Sequence, residues 1–211
     1  MTTTKTRPDF DVEVSGKSLG YNKPQKMGNR MWAPMFIMAV MAFPVALILA
    51  FVRASTIADA SSAADFEDAA QLGHYIAAFG FIGFLAVFSA ISFAVARILG
   101  RFRKGGGDIQ EATGSNVQTL KMPVTAKLFI ASMAMGMMII AGAVVLHFVA
   151  ASNVGTWELE SVERWARVLE GFRRFGVGLY LFGITLGLGT IIHVLRFQSI
   201  RVRQLPDVFA K

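Results

Sequence analysis

Four stretches of about twenty apolar residues, none with an Asp, Glu, Lys or Arg in its interior, constrain this chain more than any other feature. They run from Met31 to Val52, His74 to Ala96, Leu128 to Val149 and Phe175 to Leu195. About 20 such residues are what a helix needs to cross a bilayer. With 211 residues, 54% of them hydrophobic and only 17% charged, the chain is too apolar for an ordinary soluble domain. The expected fold is an all-α integral membrane protein with four transmembrane helices in two hairpins.

The polar segments divide the chain as 1–30, a polar N-terminal segment; 31–97, the first hairpin; 98–124, a glycine-containing linker; 125–196, the second hairpin; and 197–211, a C-terminal tail. The segment before Met31 lacks an apolar run, so the first span is expected to act as its own insertion signal. Placing both termini on one side puts 16 of the 21 Lys and Arg residues there and 5 opposite. Positive residues accumulate on the cytoplasmic side, so both termini are expected in the cytoplasm of a bacterium, with the chain in its inner membrane. The basic residues flank membrane spans, which accounts for the net charge of +7 without a nucleic-acid partner.

Between spans three and four, Leu159, Val162, Trp165, Val168, Leu169 and Phe172 recur at spacings of three and four. This pattern predicts an amphipathic helix over residues 157–172 on the outer surface. Trp32, Trp157 and Trp165 suit the interfacial belt, where an indole keeps its ring in apolar surroundings and its N–H in water. Gly105, Gly106 and Gly107 read as a hinge between hairpins, since no Lys-Ser/Thr follows to make a phosphate loop. Leu49–Ser55 resembles Leu146–Ser152, and Phe79-Gly80 resembles Phe175-Gly176, at nearly equal offsets. Two such matches mark a candidate tandem repeat of hairpins.

With no cysteine, any metal or redox chemistry would rest on three histidines, the methionines and carboxylates. His74 opens span two and His147 nears the end of span three, both toward the outer face. Two imidazoles at one level of a bundle are what bis-histidine ligation of a b-type haem requires, so His74 and His147 are the candidate haem ligands. Interfacial hydrogen bonding is the plainer role for the same pair. His193, near Arg196, has no second histidine at its level and is expected to snorkel, cap its helix or meet an anionic lipid or subunit. The methionines of spans one and three read as adaptable packing. Pro44 is expected to kink span one.

Gly176, Gly183 and Gly187 form a small-residue ridge on span four, a surface for close helix contact. Gly80 and Gly83 are a weaker version on span two. No charge lies at mid-membrane to bind ions or relay protons, which argues against a pump, and no base shares the depth of Ser89, Ser92 or Ser132 for hydrolysis. The expectation is a non-catalytic membrane subunit that anchors or stabilises a larger bacterial complex of respiratory or photosynthetic electron transfer. Its partners would be other membrane subunits and lipids. The alternatives are a mono-haem cytochrome b-type subunit using His74 and His147, and a small transporter or lipid-binding protein.

Overall fold

A computed structural model describes residues 10, 12–15, 20–114, 116–156 and 159–203. In chain order the elements are β1 (Val12–Ser15), α1 (Lys23–Ala58), α2 (Ala63–Ala112), β2 (Val117–Leu120), α3 (Val124–Ser152) and α4 (Leu159–Arg203). Each helix contains one of the four apolar runs and is long enough to span a membrane. The chain is an all-α membrane protein with a small β ribbon at the end where the polar segments gather.

Local chemistry sets the helix boundaries. Asn22 and Gln25 form a reciprocal capping box at the start of α1, with Pro24 in its first turn, and the helix then runs on through Pro34 and Pro44. Ser62 and Asp65 form the corresponding box on α2. Backbone and hydroxyl hydrogen bonds from Ser61 and Ser62 hold the Asp65 carboxyl below its ordinary value. At the other end α2 closes on Thr113, and Gly114 takes φ +67°, a left-handed turn that glycine enters without a Cβ clash.

Two stretches differ from their sequence-based expectation. The linker over 98–124 is helical as far as Ala112, so α2 has 50 residues and a length of about 75 Å, far beyond a hydrocarbon core of about 30 Å. Gly105, Gly106 and Gly107 therefore lie inside a helix, where each glycine costs roughly 1 kcal/mol relative to alanine. Packing accounts for Gly106, because the Gln198 amide on α4 occupies the space a side chain there would need, whereas a side chain at Gly105 would meet open space. The amphipathic stretch is likewise helical from Leu159, but it continues without interruption into span four as the single 45-residue α4. Trp157 lies outside the described residues.

The core is built by α2, α3 and α4. Phe81, Val95, Phe129, Met133, Ile140 and Tyr180 form one buried cluster, with Tyr180 fully enclosed and stacked on Phe88 at 5.0 Å between ring centroids. α1 packs chiefly on α2. Only 11% of its apolar window is buried, against 39% for α2, so α1 stands at the edge of the bundle.

The N-terminal segment, too polar to order alone, is held by its own chain. β1 pairs antiparallel with β2, from Val12 opposite Leu120 to Ser15 opposite Val117. A two-stranded ribbon is marginal by itself. Here the buried Gln110 side chain anchors it, accepting from Gln118 N at 2.8 Å and donating to Gln118 O at 3.1 Å and Gly106 O at 3.0 Å. Arg201 on α4 donates to the same Gln110 Oε1 at 3.1 Å. Phe10, just before β1, packs on His193 and Phe197 of α4 at 5.2 and 5.5 Å.

Candidate functional site

The two histidines expected to share a level do meet. His74, near the start of α2, and His147, near the end of α3, approach to 3.4 Å between their Nδ1 atoms. Their ring centroids lie 5.7 Å apart, and Phe81 stacks on His147 at 5.1 Å. His147 is buried and His74 half-buried. Gln71 Nε2 donates to Ala151 O at 3.2 Å, so a polar tie one turn away also fastens α2 to α3. On the other side of α2, Arg53 donates from Nε to Ala69 O at 2.9 Å and packs beside Gly73.

A single proton on one Nδ1 can link this pair by a hydrogen bond, one ring donating and the other accepting. A haem held between them would set its ligating nitrogens about 4 Å apart, twice a metal–imidazole bond of about 2 Å, across a wide flat ring. Here the two rings approach through their Nδ1 atoms, and Phe81 stacks on His147. No group of three or more His, Asp or Glu side chains stands together among the described residues.

The glycine ridge of α4 has a partner within this chain. A methyl group built on Gly176 would come within 2.7 Å of Ile140 Cγ1, and one on Gly183 within 2.7 Å of Met133 Cε. One on Gly187 would meet the Phe129 ring at 3.1 Å and Val95 at 3.2 Å. The surface read as a generic helix contact is thus filled by α3, with help from α2. Gly28 on α1 and Gly136 on α3 make contacts as close, and sequence reading passed over both. Gly136 lies opposite Gly176 of the ridge, whose carbonyl oxygen is 3.3 Å from a methyl group built on Gly136.

The interfacial tryptophans divide. Trp32 lies under the Arg97 guanidinium at 5.0 Å, a cation–π contact between α1 and α2, while Trp165 is exposed. Near Trp165 on α4, Glu170 pairs with Arg174 at 2.8 Å and with Arg173. The Arg174 hydrogen bond leads in holding the Glu170 carboxyl below its ordinary value.

Half-way along the bundle the hydroxyls satisfy one another. Tyr180 OH and Ser89 Oγ are 3.3 Å apart, and Ser92 Oγ donates to Phe88 O and approaches Met133 Sδ at 2.7 Å. These groups edge an apolar cleft of about 390 Å³, which runs between α1 and α3 from Lys23 and Met27 down to Met137 and Tyr180. Comparison with protein-family models, with curated proteins and with solved structures finds no match to this chain.

Proposed function

We propose that this chain is a non-catalytic subunit of a larger membrane complex, acting as anchor and stabiliser. The observation that carries the reading is the lopsided bundle: α1 is held along one side and leaves a long apolar face uncovered. Phe36, Val40, Met41, Leu47, Ile48 and Phe51 are all exposed, Phe51 by 69% and Met41 by 64%. A helix that contributes so little to its own core is placed to contribute to another one, through packing that lipid supplies less specifically. The cytoplasmic placement of the basic end rests on the 16 to 5 division of positive residues, and a bacterial electron-transfer complex is the kind of assembly proposed for it. The candidate repeat rests on the nearly equal offsets of the two sequence matches.

The test is a photo-crosslinking residue placed at Met41 in cells, followed by mild detergent extraction. A discrete crosslinked product containing one other membrane protein, in stoichiometric amount, is the expected result. A monomer crosslinked only to lipid would end this reading. A dithionite-reduced minus oxidised spectrum of the same preparation should lack an α-band from this subunit. A band abolished by His74→Ala or His147→Ala would instead mean that the rings part to admit a haem.

The cleft between α1 and α3 favours a second reading, a lipid-binding membrane protein. Its walls are apolar, and an acyl chain could enter it sideways from the bilayer. Ala134→Trp, which fills the cleft, should then displace one co-purifying lipid; unchanged lipid content would count against it.

A further inference from the structure

At the basic end of the molecule, remote from the histidine pair, the start of α1, the outer part of α2, β2, the start of α3 and the end of α4 enclose a cavity of about 180 Å³. Its polar wall is made by Asn22, Gln25, Arg103, Thr119, Thr190 and Gln198. Leu99 and Phe197 contribute to an apolar wall opposite. Arg103 is the only charged side chain in the lining, and no carboxylate among the described residues faces it.

The Nε atom of Arg103 is buried and has no hydrogen-bond partner among the described residues. The residue as a whole is half-buried, so only the inner edge of its guanidinium is withdrawn from water without a partner, and arginine is suited to planar, two-point pairing with phosphate oxygens. A second feature acts in the same direction. α3 begins at this cavity with Pro123 as its N-cap, a residue that makes no side-chain capping bond; Ala126 N donates to Pro123 O at 3.0 Å, while the Val124 and Thr125 N–H groups have no side-chain cap, and the positive end of the helix dipole lies beside the cavity. The capping box of α1, whose Asn22 and Gln25 line the same cavity, satisfies its own helix. Arg97, Arg101 and Lys104 on α2 and Arg196 on α4 bracket the cavity in sequence, at the level where apolar spans give way to basic residues. This is the depth of lipid headgroups, where basic pockets between helices take anionic heads.

We propose that this cavity binds a phosphate group, with Arg103 as its charge partner and the amide and hydroxyl groups of Gln198, Gln25 and Thr190 around it. The phosphate can come from the phosphodiester of an anionic membrane lipid, whose glycerol and upper acyl carbons would lie on the Leu99–Phe197 wall, or from free phosphate in solution. The site is independent of whether the chain serves as a complex subunit.

The full-length chain, purified in detergent and stripped of lipid, is titrated with phosphatidylglycerol and with phosphatidylcholine and followed by native mass spectrometry. In parallel its melting temperature is recorded in inorganic phosphate and in chloride at equal ionic strength. Losing one charge-assisted contact should lower phosphatidylglycerol occupancy roughly tenfold in Arg103→Gln. Arg103→Lys should keep part of it, which separates lost binding from misfolding. Arg101→Gln removes the same charge from an exposed neighbour outside the cavity and should bind like wild type. A phosphatidylglycerol preference that depends on Arg103 identifies the lipid source. Stabilisation by inorganic phosphate that depends on Arg103, with no lipid preference, identifies the free ion. Equal loss in the Arg101 and Arg103 variants, or no response to either probe, would overturn the proposal.

Discussion

In the first hairpin α1 meets α2 through backbone at Gly28 and through side chains elsewhere, as where Phe43 fills the space beside Gly83, whereas in the second the glycines of α4 meet α3 through side chains. A methyl group on Gly28 would lie 2.7 Å from the carbonyl oxygen of Phe93 and 3.1 Å from Arg97 N, atoms fixed by the α2 helix itself. The methyl groups on Gly176, Gly183 and Gly187 would meet Ile140, Met133 and Phe129, which have rotamers to offer. The same residue type thus serves two purposes. In the first hairpin one glycine fixes how closely two helix axes approach, and in the second a ridge of glycines lets branched and flexible side chains interlock. Because α1 packs chiefly on α2 alone, it depends on that one seam.

The largest expected effect in breaking this contrast is at Gly28. Gly28→Ala should destabilise the first hairpin by about 1–3 kcal/mol, the usual cost of overpacking against atoms that cannot move. Thermal melting in detergent measures it, and cysteine-free labelling at exposed Met41 replaced by Cys would show whether α1 has shifted from α2. Gln110→Ala comes next. It strands the backbone N–H and carbonyl of Gln118, and should cost about 1–3 kcal/mol if the orphaned groups stay buried, less if water reaches them. Faster amide exchange confined to residues 12–15 and 117–120 would be the signature of a loosened ribbon.

Gly176→Ala should cost no more than Gly28→Ala, because the obstructing Ile140 Cγ1 belongs to a side chain, though a stiff β-branched one, and Gly183→Ala least of the three, because the obstructing atom is the terminal methyl of Met133. A melting series in the reverse order would refute the distinction between backbone and side-chain contacts. The smallest effect belongs to the α2 capping box. Ser62→Ala should cost about 1 kcal/mol at neutral pH. Because the Asp65 carboxyl is held below its ordinary value in the folded chain, its contribution is present at neutral pH and fades only as acid protonates it. The wild type should therefore lose this increment as pH falls through the acid range, while Asp65→Asn shows a flatter profile over the same range. Parallel profiles would mean that the cap adds nothing measurable.

The meeting of His74 and His147 was legible because depth along a membrane helix can be counted from residue numbers, and both lie near the same end of adjacent runs. Their contact distance was not, since helix rotation and the position of Phe81 decide it. The ridge on α4 was legible as a ridge, but its partner was not, because small residues advertise closeness without naming what comes close. Arg103 gave no sequence signal at all. In a run of basic residues it looks like Arg101, and only the convergence of five elements half-buries one, with its Nε enclosed, and leaves the other exposed.

Sequence alone determined the four spans and their division into hairpins, because a bilayer tolerates only long apolar helices and the charges must fall between them. It could not determine where those helices end. Residues 98–112 carry glycines and charges that by propensity belong to a loop, and 159–172 carry an amphipathic pattern that by itself belongs to a separate helix. Both became extensions of spanning helices. For the first, the end of α4 and the β ribbon pack against the glycines and supply contacts that outweigh roughly 1 kcal/mol per residue of unfavourable propensity. Propensity is a local quantity, and the contacts that overrode it join residues about ninety positions apart, so only the tertiary structure could decide.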